Sequence, residues 1–143
     1  MDMEGFPAVV DIEVRYRDLD PLGHVNNAVY LSYLELARVR YFTLLGVERG
    51  ALGRGAGTPV VARAEVDYHR PIYLGNRVRV GARVFRLGRT SFGMEYRVLA
   101  DGELAASAKT VHVWLGKEGR PEPLPTFLRA RVGELEVLPV EGL

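Results

Sequence analysis

The feature that most constrains this chain is an apolar segment at residues 28–45, which is too long for one strand. Read at 3.6 residues per turn, the segment is apolar on almost every side. Helices without a broad polar face are buried, so this pattern predicts a helix enclosed by the rest of the fold. Gly46 follows the segment, and glycine is typical of the position just beyond a helix end. The only polar stripe consists of Ser32, Glu35, Arg38 and Thr43.

Five other segments alternate apolar and polar residues, which is the pattern of half-buried β-strands. One segment precedes the helix and four follow it. Tight turns such as Asp101-Gly102 join them, so neighbouring strands pair antiparallel. A curved sheet of about five strands can enclose one apolar helix, which predicts an α+β fold and a single domain at residues 1–143. The predicted strands are 9–16, 59–68, 76–87, 90–100 and 103–115, with a short helix at 126–132 and a glycine-rich loop at 48–58.

Composition excludes several functional classes. With 48% hydrophobic and 26% charged residues, the chain of 143 residues is typical of a folded domain. Its net charge of +1 favours neither nucleic acid nor a membrane surface as partner, and no apolar run approaches the ~20 residues of a membrane helix. The absence of cysteine excludes thiolate catalysis and zinc–thiolate sites. The acidic start MDMEGFPAVV does not match a signal peptide, so we expect a cytoplasmic protein.

Polar chemistry concentrates in the loop before the helix, DLDPLGHVNN at residues 18–27. The first N–H groups of a helix have no partner within it, so a nearby acceptor caps them and the helix dipole favours negative charge there. Asn26 is the predicted cap. Asp20 precedes a proline, and it is either a turn residue or one half of a catalytic site.

The segment RYRDLDPLGHVNNAVYLSYLELAR resembles the N-terminal signature of the 4-hydroxybenzoyl-CoA thioesterase branch of the hotdog-fold thioesterases. Its HVNN step is also similar to plant acyl-ACP thioesterases. AEVDYHRPIYLGN resembles the second strand of the family and GRTSFGMEYRV the fourth, so the resemblance covers about residues 9–114. It implies a curved antiparallel sheet around one central helix and hydrolysis of an acyl-CoA to free acid and CoA. It also implies a homo-oligomer, at least a dimer and often a tetramer, with active sites at the subunit boundary.

Hydrolysis of a thioester needs a base or nucleophile on one side of the carbonyl and N–H donors aimed at its oxygen on the other. The resemblance places the catalytic carboxylate at Asp20 and the oxyanion donor on the backbone of Asn27. Whether Asp20 attacks directly or through water is left open. His24 either orients substrate or water, acts as a base with Asp20, or is a loop histidine bonded to backbone.

Other polar residues are weaker candidates. Asp18 is the rival acid, and we interpret it as structural or solvent-facing. The plant-type pattern has an asparagine two residues after the aspartate, where this chain has Leu22, which favours the simpler carboxylate mechanism. Some hotdog enzymes carry their acid inside the helix, where Glu35 is the candidate, but an i,i+3 pair with Arg38 explains it more simply.

The CoA contacts are expected from basic and hydroxyl side chains, since arginine suits phosphate groups. The resemblance favours the start of the fourth strand, with the turn after the second strand as an alternative. Ordinary solvated arginines are the competing interpretation. No metal and no cofactor besides CoA as substrate is expected, because the three histidines lack metal-site spacing. The candidate CoA-binding residues are Arg89, Thr90 and Ser91, and secondarily Arg70 and His69.

Two further functions are compatible with the sequence. One is a thioesterase for acyl carrier protein, whose acidic surface would dock on a basic patch of Arg77, Arg79 and Arg83. The other is a non-catalytic module that binds acyl-CoA. Asp20 argues against the latter, because a binding protein gains nothing from a carboxylate beside the thioester.

Overall fold

A computed structural model describes residues 2–46 and 57–143. Most of the glycine-rich stretch predicted to be a loop lies outside the described residues. The first half of the fold contains β1 at Ala8–Glu13, a 3-10 turn at Tyr16–Asp18 and α1 at Val29–Leu44. The second half contains β2 at Thr58–Tyr68, β3 at Arg77–Leu87, β4 at Ser91–Ala100, β5 at Glu103–Leu115 and α2 at Thr126–Leu135.

The five strands form one antiparallel sheet in the order β1-β3-β4-β5-β2. Asp101 and Gly102, with φ of 51° and 81°, make the tight turn between β4 and β5, as predicted. The first strand is shorter than predicted, because Glu13 is its last residue paired with β3. Tyr16, predicted on the apolar face, lies in the 3-10 turn and is 81% exposed.

The core forms where α1 packs against one face of the sheet. Tyr30, Tyr33, Leu34, Ala37 and Tyr41 of the helix are buried. The prediction that the helix is enclosed on nearly all sides is wrong, because a single five-stranded sheet covers only one side of it. The opposite side exposes about half of three large apolar side chains, namely Leu31, Leu36 and Val39.

The edge strand β2 contains a bulge. Val61 pairs with His112 and Arg63 with Val111, so Ala62 has no partner of its own in the ladder. An extra residue reverses the alternation of side chains on one side of it. The predicted face of alternating residues from Val60 onward is therefore wrong at its start. Val61, not Val60, lies with Ala64 beside α1.

The C-terminal segment, residues 136–143, is anchored to the sheet through Glu136, although most of its residues are exposed. Glu136, just after α2, accepts hydrogen bonds from the Tyr41 hydroxyl (2.6 Å) and from the Arg83 Nε (3.2 Å). The Val84 N–H donates to the same carboxylate (2.9 Å). Burial, followed by the hydrogen bond and charge of Glu136, raises the pKa of Tyr41. This segment therefore ties α1 to β3.

No helix among the described residues is both long and apolar enough to cross a membrane.

Candidate active site

Asp18 anchors the loop that leads into α1. Its carboxylate is buried and accepts hydrogen bonds from the Tyr33 hydroxyl (2.8 Å) and the Arg15 N–H (2.9 Å). Burial by itself raises the pKa of Asp18. The hydrogen bonds from Arg15 and Tyr33 and the charges of Arg15 and Arg17 outweigh that effect and hold the pKa below its usual value. Of the two predicted alternatives for Asp18, the structural one is correct.

The same loop brings Asp20 and His24 together. Asp20 Oδ1 accepts the Leu22 N–H at 2.9 Å, and Oδ2 lies 3.2 Å from His24 Nδ1. The Asp20 N–H donates to the His24 carbonyl at 2.9 Å, so the backbone also holds the pair. Both side chains keep some access to solvent, with 17% of Asp20 and 28% of His24 exposed. Asp20 is thus a turn residue and an accessible carboxylate at the same time.

The backbone around Asn27 presents one free donor. The Ala28 N–H donates to Asn26 Oδ1 (2.9 Å), and the Val29 N–H donates to the Asn26 carbonyl (2.9 Å). The N-cap of α1 is Ala28, without a side-chain cap, so the prediction that Asn26 is the cap is wrong; Asn26 instead holds the turn that leads into the helix. Within residues 2–46 and 57–143, the Asn27 N–H has no hydrogen-bond partner, and Asn27 is exposed. An N–H group at the positive end of a helix can stabilise a developing oxyanion.

Tyr68, at the end of β2, holds the other side of Asn27. Its hydroxyl donates to the Asn27 carbonyl at 2.9 Å. Its ring packs edge-on against Tyr30 of α1, with ring centres 4.9 Å apart and planes at 89°. Tyr68 was not predicted as a site residue, because the contact joins positions 41 residues apart and the strand pattern alone does not reveal it.

The loop closes on itself, which places the acid near the helix start. Leu19 and Val25 form an isolated antiparallel bridge, and the Asn26 N–H donates to the Asp18 carbonyl at 2.8 Å. The Val25 N–H donates to the Ile72 carbonyl at 2.8 Å, which fixes the loop to the turn after β2. An accessible carboxylate and a free helix-terminal N–H are the two groups that hydrolysis of an activated carbonyl requires.

The structure divides the candidate CoA-binding residues into two groups. His69 and Arg70 follow β2 at the end of the sheet that carries Asp20. Arg70 forms an ion pair with Glu103, and His69 Nε2 lies 2.9 Å from Ser107 Oγ. Arg89 and Thr90 lie in the turn between β3 and β4, and Ser91 is the first residue of β4, all at the other end of the sheet. The ten residues of β4 separate the two ends by roughly 30 Å in one chain.

Among the described residues, no three acidic or histidine side chains gather in a way that could hold a metal ion. His112, one of the three histidines, is buried in the core.

A family model described as the thioesterase-like superfamily matches residues 14–132. The chain belongs to the thioesterase-like superfamily. A 1,4-dihydroxy-2-naphthoyl-CoA hydrolase of Synechococcus elongatus is 32% identical over 119 residues, which are 81% of this chain and 88% of the relative. An acyl-acyl carrier protein thioesterase of Arabidopsis thaliana chloroplasts is 28% identical and aligns with 89% of this chain and 69% of its own.

Solved structures of superfamily members share the fold. A Thermus thermophilus thioesterase, crystallised with coenzyme A and Zn, is 55% identical and superposes with a TM-score of 0.86. The match covers 96% of this chain and 100% of that one. The predicted hotdog fold is confirmed, and so is the prediction that this member of the superfamily is an enzyme that hydrolyses thioesters.

Proposed function

We propose that this thioesterase hydrolyses acyl-CoA, with Asp20 as the catalytic carboxylate and the Asn27 N–H as the oxyanion donor. The observation that carries the proposal is that one loop contains both an accessible carboxylate, Asp20, and a free N–H at the start of α1. A donor fixed in advance stabilises the oxyanion without reorganisation, and one such donor is worth about 3–4 kcal/mol.

The reaction needs few groups. In the water-mediated route, the oxygen of water bonds to the thioester carbon while Asp20 takes the water proton. The carbonyl oxygen becomes negative and accepts the Asn27 N–H. The C–S bond then breaks, and the CoA thiolate leaves and takes the proton that Asp20 had removed from water. In the direct route, an Asp20 oxygen bonds to the thioester carbon with the same oxyanion contact, the C–S bond breaks and the CoA thiolate leaves. Water then hydrolyses the resulting anhydride, which releases the acid and restores Asp20. His24 keeps the carboxylate oriented through its Nδ1 in both routes.

CoA is favoured over a carrier protein as the bearer of the acyl group. The basic patch that would dock an acidic carrier is smaller than the sequence predicted. Arg83 is buried in ion pairs with Glu95 (2.9 Å) and Glu136 (3.2 Å), and Arg79 pairs with Asp11 at 3.0 Å. The relative from Synechococcus elongatus is named for a CoA thioester, and the Thermus thermophilus structure contains CoA.

A second copy of the chain completes the proposed site. β2 is an edge strand, and next to it α1 exposes apolar residues such as Leu36. Antiparallel pairing of β2 with the β2 of a second copy covers this surface. It also brings the β3–β4 turn of that copy, with Arg89, Thr90 and Ser91, to the end of the sheet that carries Asp20. The proposed assembly is at least a dimer, and a tetramer is the form that the sequence resemblance implies.

The test is Asp20→Asn in an acyl-CoA hydrolysis assay. We expect kcat to fall by about 10²-fold or more, because the amide can neither take a proton nor attack. The matched control is Asp11→Asn, which changes an acid with a 79% exposed side chain on β1, at the opposite edge of the sheet, and should leave kcat unchanged. Turnover like that of the unaltered enzyme in the Asp20 variant would remove Asp20 from the mechanism.

A further inference from the structure

A groove of about 230 Å³ runs between α1 and β2. Its apolar walls are Leu31 and Leu34 of the helix and Val61 and Ala64 of the strand. At the helix start, Tyr68 of the same strand touches the Asn27 carbonyl. The groove begins at Leu31, four residues beyond the candidate oxyanion donor, and follows the helix to Arg38.

Arg38 and Thr110 also line this groove. Only 13% of the Arg38 side chain is exposed. Its Nη1 donates to the Tyr96 hydroxyl at 3.1 Å, whereas the Glu35 carboxylate is 3.9 Å from Nη2 and 68% exposed. A guanidinium has five N–H donors. In the described part of the chain, most donors of Arg38 thus have no protein acceptor, and the nitrogen atoms that lack one keep contact with solvent.

A chain of buried hydrogen bonds holds Arg38 in position. The Tyr96 hydroxyl lies 2.7 Å from Thr110 Oγ1, which lies 2.8 Å from His112 Nε2. The His112 ring stacks on Phe92, with ring centres 4.9 Å apart. Burial, with a further contribution from the charge of Arg38, lowers the pKa of His112 to about 3. His112 is therefore neutral near pH 7, and the positive charge of this cluster is that of Arg38.

We propose that this groove binds the acyl group of the substrate and that Arg38 recognises an oxygen at its far end, a carboxylate above all. A partly buried guanidinium loses hydration, and an anionic oxygen acceptor compensates for that loss better than an apolar chain end does. The predicted substrate class is the mono-CoA thioesters of dicarboxylic acids, with terminally hydroxylated acyl groups second. The inference rests on the proposed function, since the groove receives an acyl group only if the thioester is bound at Asp20 and Asn27.

The dimensions define the length of the acyl group. Arg38 is nine residues beyond Val29, about 14 Å along the helix axis. Helical side chains lean towards the N-terminus, which places the guanidinium roughly 10 Å from the helix start. At about 1.2 Å per bond of an extended chain, this corresponds to about eight bonds. The groove is smaller than the ~300–1,000 Å³ of sites for whole drug-sized ligands, so it suits an acyl group and not the entire CoA thioester.

The experiment compares three CoA thioesters with eight-carbon acyl groups that end in a carboxylate, a hydroxyl or a methyl group. For the unaltered enzyme, we expect kcat/KM to be about tenfold or more higher with the carboxylate than with the methyl end. Arg38→Gln should lower kcat/KM for the carboxylate substrate by about tenfold or more and leave the methyl substrate within about twofold. Arg40→Gln, an exposed arginine of the same helix, is the matched control and should behave as the unaltered enzyme.

Two results would overturn the inference: equal kcat/KM for all three substrates in the unaltered enzyme, or an equal loss for all three in Arg38→Gln. The latter would show that Arg38 only anchors α1 to the sheet. If Arg38→Gln does not fold, the substrate ratio of the unaltered enzyme still decides. Hydrolysis of octanoyl-CoA that depends on Asp20 would meanwhile support the proposed function, so the two ideas fail separately.

Discussion

At the scale of single residues, the peptide groups on both sides of Asn27 are fixed before any substrate binds. The Asn26 carbonyl accepts the Val29 N–H, which sets the plane that contains the Asn27 N–H. The Asn27 carbonyl accepts the Tyr68 hydroxyl, which sets the next plane. Tyr68 is therefore a positioning residue for the proposed oxyanion donor.

Tyr68→Phe tests this role. The ring contact with Tyr30 remains, and only the hydrogen bond to Asn27 is lost. We expect kcat to fall by roughly tenfold with little change in KM, since a small displacement of a catalytic group is costly mainly in the transition state. Tyr16→Phe, which changes an exposed tyrosine of the 3-10 turn, is the control. An unchanged kcat in Tyr68→Phe would show that Asn27 is held well enough by the helix alone.

At the scale of elements, the attachment of the C-terminal segment to the fold depends on one carboxylate, which has almost no contact with water. The Glu136 side chain is 1% exposed and receives hydrogen bonds from α1 and from β3. The Arg83 guanidinium also donates to the Pro139 carbonyl at 2.8 Å. One ion pair therefore links the helix, the sheet and the chain end.

Glu136→Gln should lower the free energy of unfolding by about 3 kcal/mol, because it leaves a buried arginine with one counter-charge fewer. Urea denaturation measures this loss. Glu134→Gln removes an exposed acid at the end of α2 (68% exposed side chain) and should change the stability little. Equal stability of the two variants would mean that the buried pair contributes nothing net.

The elements differ in how far the sequence predicts them. Local periodicity is enough to predict α1 and β5, whose predicted bounds agree with the observed ones to within a residue. It also predicts that the loop with Asp20 lies between β1 and α1. The roles of Glu136 and Tyr68 depend on partners 41 to 95 residues away, which periodicity does not reveal. The exposed side of α1 was also missed, because an apolar pattern does not distinguish burial within a chain from burial between chains.

At the scale of the whole molecule, that exposed apolar side favours association. Leu36→Glu would place a charge in the proposed interface and should convert dimers into monomers. Size-exclusion chromatography with light scattering measures the mass. Val137→Glu, at a site 80% exposed on the C-terminal segment, is the control and should keep the mass of the unaltered protein. A monomeric unaltered protein at micromolar concentration would contradict the proposed assembly.

Because of the bulge at Ala62, the groove can change its shape in evolution independently of the loop that carries Asp20. Deleting the Val61 codon would remove the bulge and bring Ala62 to the groove in place of Val61, while the pairing from Arg63 onward stays intact. Insertion and deletion in an edge strand are therefore routes to a new acyl preference that leave Asp20 and Asn27 untouched. Relatives with the same loop motif can thus differ in the acyl groups they accept without a single substitution near the reacting bond.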